Sequence, residues 1–493
     1  MRTKARYNAG FSDTKISVHK IARIVKYILT KEARPFGRRN RKERMPYMLT
    51  NYSTEYRAKL KTPEEAVKVV KDGDWVDYSG ATGIPDLLDK ALAARKDELH
   101  DVKIRGYQSL RPVEVAVCDP GQEHFCYNSW FLSAGERKLR DNGQCFFIPM
   151  MFRNMPKIYR EGFCKVDVAM IQVSPMDEHG YFYFSMQCAA ERALMDVAKY
   201  KILEVNENLP HVQGTQNTVH ISEIDAVVEG EHGPIPNLPR NAPTESDFKL
   251  ADYIMEDMHD GICLQLGVGS ISDSVGVRLA ESDIKDIGIH TELLCEALCD
   301  LYKAGKITNI HKNIDRYKTV FTMVMGSQDI YDWAADNSSV MTTAVDYVND
   351  PAVIGQLDNM VSINNAIEVD LYGQISSESV GPRQISGCGG QMDFLMGAFR
   401  SNGGKGYICT KSAYADKNGV LRSKIVPSLD GSKITSTCTD AYYIVTEYGK
   451  VNMMGKSEWQ RAEDLIGIAH PDLRDGLIEE AERLGIWKPS NKR

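Results

Sequence analysis

Residues 262–276 read ICLQLGVGSISDSVG, and the fold is decided here. Residues 262–266 are a nearly unbroken apolar run, the pattern of a buried strand. Gly267 and Gly269 make a Gly-x-Gly turn, and the pattern from Ser270 onward predicts a helix. A strand, a glycine turn and a helix bring bare backbone N–H groups to one point, where they can meet an anion or an oxyanion. The third glycine of a dinucleotide fingerprint is absent, because Ser272 stands there. A plain tight turn therefore also fits.

The next β-rich run, residues 286–290 (DIGIH), ends at Thr291-Glu292. In a βαβ unit this second strand lies beside the first. Glu292 and the turn at Gly267, Val268 and Gly269 then share the carboxyl edge of a parallel sheet, where ligands bind. Three readings of Glu292 stand open. It suits the nucleophile of a covalent acyl transfer. It suits a ligand for a ribose hydroxyl. It also suits a plain helix start, with Thr291 as the cap and Glu292 in the first turn. The first and last are compatible, since a helix N-terminus would keep the carboxylate ionised. A further glycine cluster, GCGG at 387–390, suits a loop that touches a ligand with its main chain. The polar, acidic strand expected at 364–373 holds a rival acid, Glu368. Its alternation with Ile367, Val369 and Leu371 suggests a half-exposed strand and ranks it below Glu292.

Outward from this segment the same alternation continues. Short β-rich runs occur at 74–78, 102–106, 145–147, 166–173, 201–205, 226–228, 320–325 and 366–371. Helical patterns lie between many of them, as at 85–94 and at 292–304, which closes on Gly305. Thr62-Pro63-Glu64-Glu65 reads as a helix start, with Thr62 as N-cap and Pro63 at the first helical position. Strands separated by helices imply an α/β fold with parallel sheets. The Pro- and Gly-rich segment 230–243 is the expected linker, giving an N-terminal α/β domain at 46–235 and a C-terminal one at 236–493. No period of 20–50 residues is visible, which excludes a solenoid.

Charge sets the first 45 residues apart. They hold 14 Lys and Arg against 3 acids, a net of +11, against −7 for the whole chain; residues 46–493 therefore carry −18. An acidic body argues against nucleic acid as the main partner. The basic block is expected to lie outside the fold, with a transit peptide or a nucleic-acid arm as the other readings. Across the 493 residues, 43% are hydrophobic and 26% charged, which excludes wholesale disorder. No apolar run of about 18 residues occurs, so no membrane helix is expected. The eleven cysteines are scattered, with no C-x-x-C pair. They read as reduced thiols in a cytoplasmic protein and not as catalytic groups. His179 reads as a turn histidine. Residues 79–83 (SGATG) read as either a substrate contact or a helix-start turn. The aromatics at 181–184 (YFYF) read as sheet packing.

Several longer motifs follow one another in a fixed order. They are YSGATGIP (78–85), SPMDEHGYFYFS (174–185), GEHGPIPNLP (230–239), GVGSISDSVG (267–276), GIHTELL (288–294), VDYVNDPAVI (345–354), NNAIEVDLYGQ (364–374) and SGCGGQMDF (386–394). In this order the chain resembles the acetyl-CoA hydrolase/transferase branch of the family I CoA-transferases, over about residues 46–475. The resemblance implies two open α/β domains of CoA-transferase type with the active site between them. It implies that the covalent acid is Glu292 and not Glu368, and that Asn349 orients its carboxylate. The family's CoA site falls on Gly267, Val268, Gly269, Ser270, Ile271, Ile367 and Gly390, with Gly389 beside it. The implied reaction moves CoA between butyryl-CoA and acetate by a ping-pong route through a glutamyl-CoA thioester. Action on 4-hydroxybutyrate, or hydrolysis on the same scaffold, is the alternative. CoA enters as a co-substrate, with no permanently bound cofactor and no metal, since a thiolate is already a good leaving group. The expected partners are an acyl-CoA, a small carboxylate and further copies of the chain, as a dimer or tetramer, with no nucleic acid and no membrane.

Overall fold

In the computed structural model, residues 46–488 and residue 490 are described, so the expectation for residues 1–45 lies outside the described residues. From Asn51 onward the chain forms one compact unit. Two parallel sheets organise it.

The sheet seeded by residues 262–266 has six strands. In spatial order they are Gly288–Ile289, Cys263–Leu266, Met360–Asn365, Lys405–Cys409, Tyr443–Thr446 and Gly449–Asn452. All but the last pair run parallel. The βαβ unit expected from the sequence is present: Cys263 pairs with Gly288 and Leu264 with Ile289, and the helix Ser270–Glu281 connects the two strands. The chain goes to one side of Cys263–Leu266 and later to the other, at Met360–Asn365. The carboxyl ends of these two strands therefore form a topological switch point, where a crevice opens in such sheets.

The second sheet has eight strands, all parallel. Their order is Leu60–Lys61, Ala226–Glu229, Tyr200–Val205, Val168–Val173, Trp75–Gly80, Val102–Tyr107, Phe125–Ser129 and Phe146–Phe147. Both faces are covered, which is why these strands read as continuous apolar runs. Val76, Ile104, Met170 and Ile202 pack into one core, and Ile171, Leu203, Phe182 and Phe184 into another. Burying each such side chain contributes roughly 1.5–3 kcal/mol. In the aromatic run at 181–184, Phe182 and Phe184 are core packing, as read, while Tyr181 is exposed. Thr62 caps its helix through a capping box with Glu65, also as read.

Three expectations need correction. The helix expected at 292–304 begins four residues later, at Glu296, and runs to Lys303 with Cys295 as its N-cap. Leu293 and Leu294 are taken up instead by pairing with Met323 and Val324. The single strand expected at 320–325 is broken at Thr322, whose N–H and that of Met323 both turn to the carbonyl of Glu292, at 3.0 and 3.1 Å. The strand expected across 364–373 is two strands. Met360–Asn365 belongs to the main sheet, and Glu368–Asp370 to a small separate one.

The segment 230–243 is irregular, as a linker should be, yet it is fastened to the body. Ile235 is buried in the core. Tyr331 donates to the carbonyl of Pro236 at 2.8 Å, and Leu238 N–H donates to Gly326. Arg240 reaches Asp300 at 2.6 Å and Asp273 at 3.3 Å.

Candidate active site

Glu292 stands three residues beyond the strand Gly288–Ile289, at the carboxyl edge of the six-stranded sheet. Its backbone is pinned by the two N–H groups of Thr322 and Met323. Two donors hold its side chain. Asn349 Nδ2 lies 2.6 Å from Oε2, and the backbone N–H of Gly390 donates to the same carboxylate. Asn349 is itself set by its place at the end of the short helix Val345–Val348. His290 fastens that helix from below, with Nε2 at 2.8 Å from the carbonyl of Val348. Gly390 is the N-cap of the helix Gln391–Arg400. A Cβ on Gly390 would fall 2.4 Å from Glu292 Oε2 and 2.4 Å from Asn349 Nδ2, so only glycine allows this approach. A Cβ on Gly389, whose φ is +55°, would fall 3.4 Å from Glu292 Oε1.

The rest of the pocket comes from the other sheet. Tyr107 and Gln108 follow the strand Val102–Tyr107, and Trp130 and Phe131 follow Phe125–Ser129. Met150, Phe152 and Cys388 complete the walls. The pocket is thus narrow and largely apolar, and it sits where the carboxyl edges of the two sheets meet. Such surroundings disfavour a charge. Burial pushes the Glu292 carboxyl up to about 7, against the opposing pull of the Asn349 and Gly390 hydrogen bonds. The expectation that a helix N-terminus would keep Glu292 readily ionised is therefore corrected: the helix begins too late in the chain, and desolvation wins.

The sign of the consequence for stability is fixed. The folded chain keeps this proton at a pH where the unfolded chain has lost it, so folding stability falls as pH rises from about 4.5 to about 7. Glu292→Gln removes that penalty. The variant is expected to exceed the parent at pH 8 by about 2 kcal/mol, less than the full shift converts to because the Glu292 residue is not fully enclosed. At pH 4 the gap should vanish. Denaturant titrations at the two pH values check this, and an equal gap at both would show that ionisation is not its cause.

The glycine turn borders a second cavity. Gly267, Val268 and Gly269 line it together with Arg240, Asn241, Asp273, Glu296 and Met325. Gly269 has φ +130° and stands as N-cap of the helix Ser270–Glu281, so the first N–H groups of that helix lie just behind the turn. Asn365 crosses the switch point and donates to the carbonyl of Val268 at 3.0 Å. Ser270 and Ile271 open the helix. Ile367 lies half-buried beyond Met360–Asn365, with its N–H donated to Ser376 at 2.8 Å. The chain segment 292–296 joins the two cavities, with Glu292 in one and Glu296 in the other.

The other candidates lie apart from Glu292. Glu368 accepts a hydrogen bond from Ser432 Oγ at 3.2 Å and lines neither cavity. His179 is exposed in its turn, with its N–H on Asp177. Ser79 donates to the buried Glu191 at 2.6 Å, and residues 81–83 form a short 3-10 turn. All eleven cysteines are free. Burial pushes the Cys388 thiol up to about 12, so its place in the pocket does not make it a nucleophile.

Reading the sequence missed the walls contributed from the side of the eight-stranded sheet: Tyr107, Gln108, Trp130, Phe131, Met150 and Phe152. A signal was there for two of them, Tyr107 and Gln108, since they follow the strand expected at 102–106 at its carboxyl end.

Residues 40–239 match the acetyl-CoA hydrolase/transferase N-terminal domain, and residues 326–481 match the C-terminal domain of the same family. The butyryl-CoA:acetate CoA-transferase of Anaerostipes caccae is 48% identical over 90% of this chain and 100% of its own. The chain belongs to the acetyl-CoA hydrolase/transferase family. A probable butyrate:acetyl-CoA coenzyme A-transferase of Syntrophomonas wolfei is 44% identical over 89% of this chain and 98% of its own. Among solved structures, RipA from Yersinia pestis superimposes with a TM-score of 0.82 at 36% identity, covering 88% of this chain and 99% of that one. The fold is thus that of the CoA-transferases. Glu292 and the Gly267–Ile271 turn fall between the two matched domains. Among the described residues, no helix of this family member is long and apolar enough to cross a membrane.

Proposed function

We propose that this enzyme moves CoA between a short-chain acyl-CoA and a free carboxylate, with butyryl-CoA and acetate as the pair, through a covalent intermediate on Glu292. One observation carries the reading: Glu292 sits in a narrow apolar pocket with Asn349 Nδ2 at 2.6 Å and the Gly390 N–H on its carboxylate. The names of the relatives at 48% and 44% identity support the choice of butyrate and acetate.

The chemistry runs in two mirrored halves. A Glu292 oxygen attacks the thioester carbonyl, and the C–S bond breaks. CoA leaves as the thiolate, and an acyl–glutamyl anhydride remains. The thiolate then attacks the glutamyl carbonyl. The anhydride C–O bond breaks and the first acid departs as a carboxylate, leaving CoA on Glu292 as a thioester. The acceptor carboxylate attacks this thioester and repeats both steps in reverse, which restores the Glu292 carboxylate. No net proton is exchanged.

Asn349 and Gly390 serve twice. They hold the attacking carboxylate, and they donate to the oxyanion that forms at the glutamyl carbonyl. Donors of this kind are worth roughly 3–4 kcal/mol each in acyl transfer. The apolar walls keep water from both intermediates. The crevice at Gly267, Val268, Gly269, Ser270 and Ile271, with Ile367 beyond it, takes the CoA chain, and Gly389 and Gly390 take its reacting end. We also read the enzyme as cytoplasmic and as a dimer or tetramer.

The attacking form of Glu292 is the carboxylate. The rate of loading by butyryl-CoA should therefore rise tenfold per pH unit below about pH 7 and level off above it. The deciding experiment is mass analysis of the chain after exposure to butyryl-CoA alone. A CoA adduct on the peptide bearing Glu292, discharged as acetyl-CoA on adding acetate, is the expected result. No adduct at that peptide overturns the route. Steady loss of butyryl-CoA without any acceptor would favour hydrolysis.

A further inference from the structure

Asp393 lies in the first turn of the helix Gln391–Arg400, three residues after the Gly390 N–H that holds Glu292. It is 1% exposed. A buried carboxylate is costly unless a counter-charge meets it. Here the counter-charge comes from the other side of the pocket: Arg153 Nη1 lies 2.7 Å from Asp393 Oδ1. Arg153 belongs to the short turn Phe152–Asn154, and Phe152 lines the Glu292 pocket. The same strip is fastened a second time. Cys388 Sγ donates to the carbonyl of Met150 at 2.8 Å, and both residues line the pocket.

We propose that Arg153 and Asp393 form a latch across the pocket, which fastens the Met150–Phe152 wall to the helix that holds Glu292 and sets the electric field felt by the Glu292 carboxylate. Asp393 is thus a positioning residue for the reaction. This inference rests on Glu292 being the reacting acid.

The electrostatics support the geometry. Burial pushes the Asp393 carboxyl up, Arg153 opposes it, and the neighbouring Glu292 and Asp350 carboxylates add to the rise. Cys388 remains a thiol, raised by burial and by the Glu378, Glu292 and Asp393 carboxyls. His290, behind the strand, is pushed down to about 3 by burial with Lys312 beside it, and so is neutral. Arg153 is the cation paired with Asp393, and Lys312 lies beside His290. Whatever weakens Arg153 leaves less of its field for Glu292.

The test follows the rate of Glu292–CoA formation from butyryl-CoA across pH 5–9, with thermal melts to report folding. Asp393→Asn keeps the shape and an oxygen facing Arg153. Its acidic limb should stay in place, because burial raises the Asp393 carboxyl to about 8 and leaves it largely protonated while Glu292 titrates. Arg153→Met should move the limb about one pH unit higher, and Arg153→Lys, which keeps the charge, should leave it in place. If Asp393→Asn does not fold, the contrast between Arg153→Met and Arg153→Lys decides. A pair with only a structural role would lower the melting temperature and leave every acidic limb where the parent has it, and that result overturns the latch. If the parent itself carries no CoA on Glu292, the covalent reading fails first and the latch with it.

Discussion

Glu292→Ala is expected to lower the rate of acetyl-CoA formation from butyryl-CoA and acetate by at least ~10⁴-fold, since no other group can carry the intermediate. The pocket offers no substitute: Cys388 is held as a thiol, and Glu368 lies elsewhere on Ser432. Glu292→Asp tests position separately. It keeps the acid but draws it back by one methylene from Asn349 and Gly390. A displacement of about 1 Å costs roughly 10²-fold in such reactions. Glu368→Ala should stay within a few-fold of the parent. Initial rates on the three variants decide the matter. If Glu292→Ala kept more than about 1% of the parent rate, or Glu368→Ala lost more than Glu292→Ala, the nucleophile would have to be sought elsewhere.

Gly390→Ala is expected to cost about 10²–10³-fold in kcat/KM with the fold intact. The backbone there, at φ −99° and ψ 10°, tolerates alanine, so the helix it caps should form as before. The obstacle is the added Cβ, 2.4 Å from Glu292 Oε2 and 2.4 Å from Asn349 Nδ2. Either the carboxylate swings away or the helix start retreats, and both break the two-donor grip. A matched melting temperature with a collapsed rate of Glu292–CoA formation is the expected signature. A rate within tenfold of the parent would mean that the Gly390 N–H is not part of the reacting geometry. Gly389→Ala should be milder at the carboxylate, at 3.4 Å, but pays backbone strain at φ +55°.

Much of the scaffold could be read directly from residue patterns. The strands at 75–80, 102–107, 168–173, 200–205 and 263–266 are buried on both faces, and such strands announce themselves as apolar runs. Met360–Asn365 did not, although it lies at the centre of its sheet. Its Ser362 and Asn364 are matched by Gln265 on the neighbouring strand, with Ser362 Oγ at 2.7 Å from Gln265 Oε1 and Asn364 Nδ2 at 3.1 Å. A polar pair that satisfies itself across two strands is invisible in either strand alone. The helix start near Glu292 was misplaced for a similar reason. Leu293 and Leu294 look helical locally, but pairing with Met323 and Val324, about thirty residues on, claims them first.

The residue order alone determined the α/β class, the glycine turn at 267–269 and the short set of acids from which Glu292 comes. These depend on periodicity and on what glycine permits, which are local properties. Only the tertiary structure decided that Glu292 is crowded enough to hold its proton to about 7, that Asn349 and Gly390 share its carboxylate, and that Tyr107, Trp130 and Phe152 wall it in. Desolvation and hydrogen bonding are sums over neighbours, and here the neighbours come from stretches as far apart as residues 107 and 390.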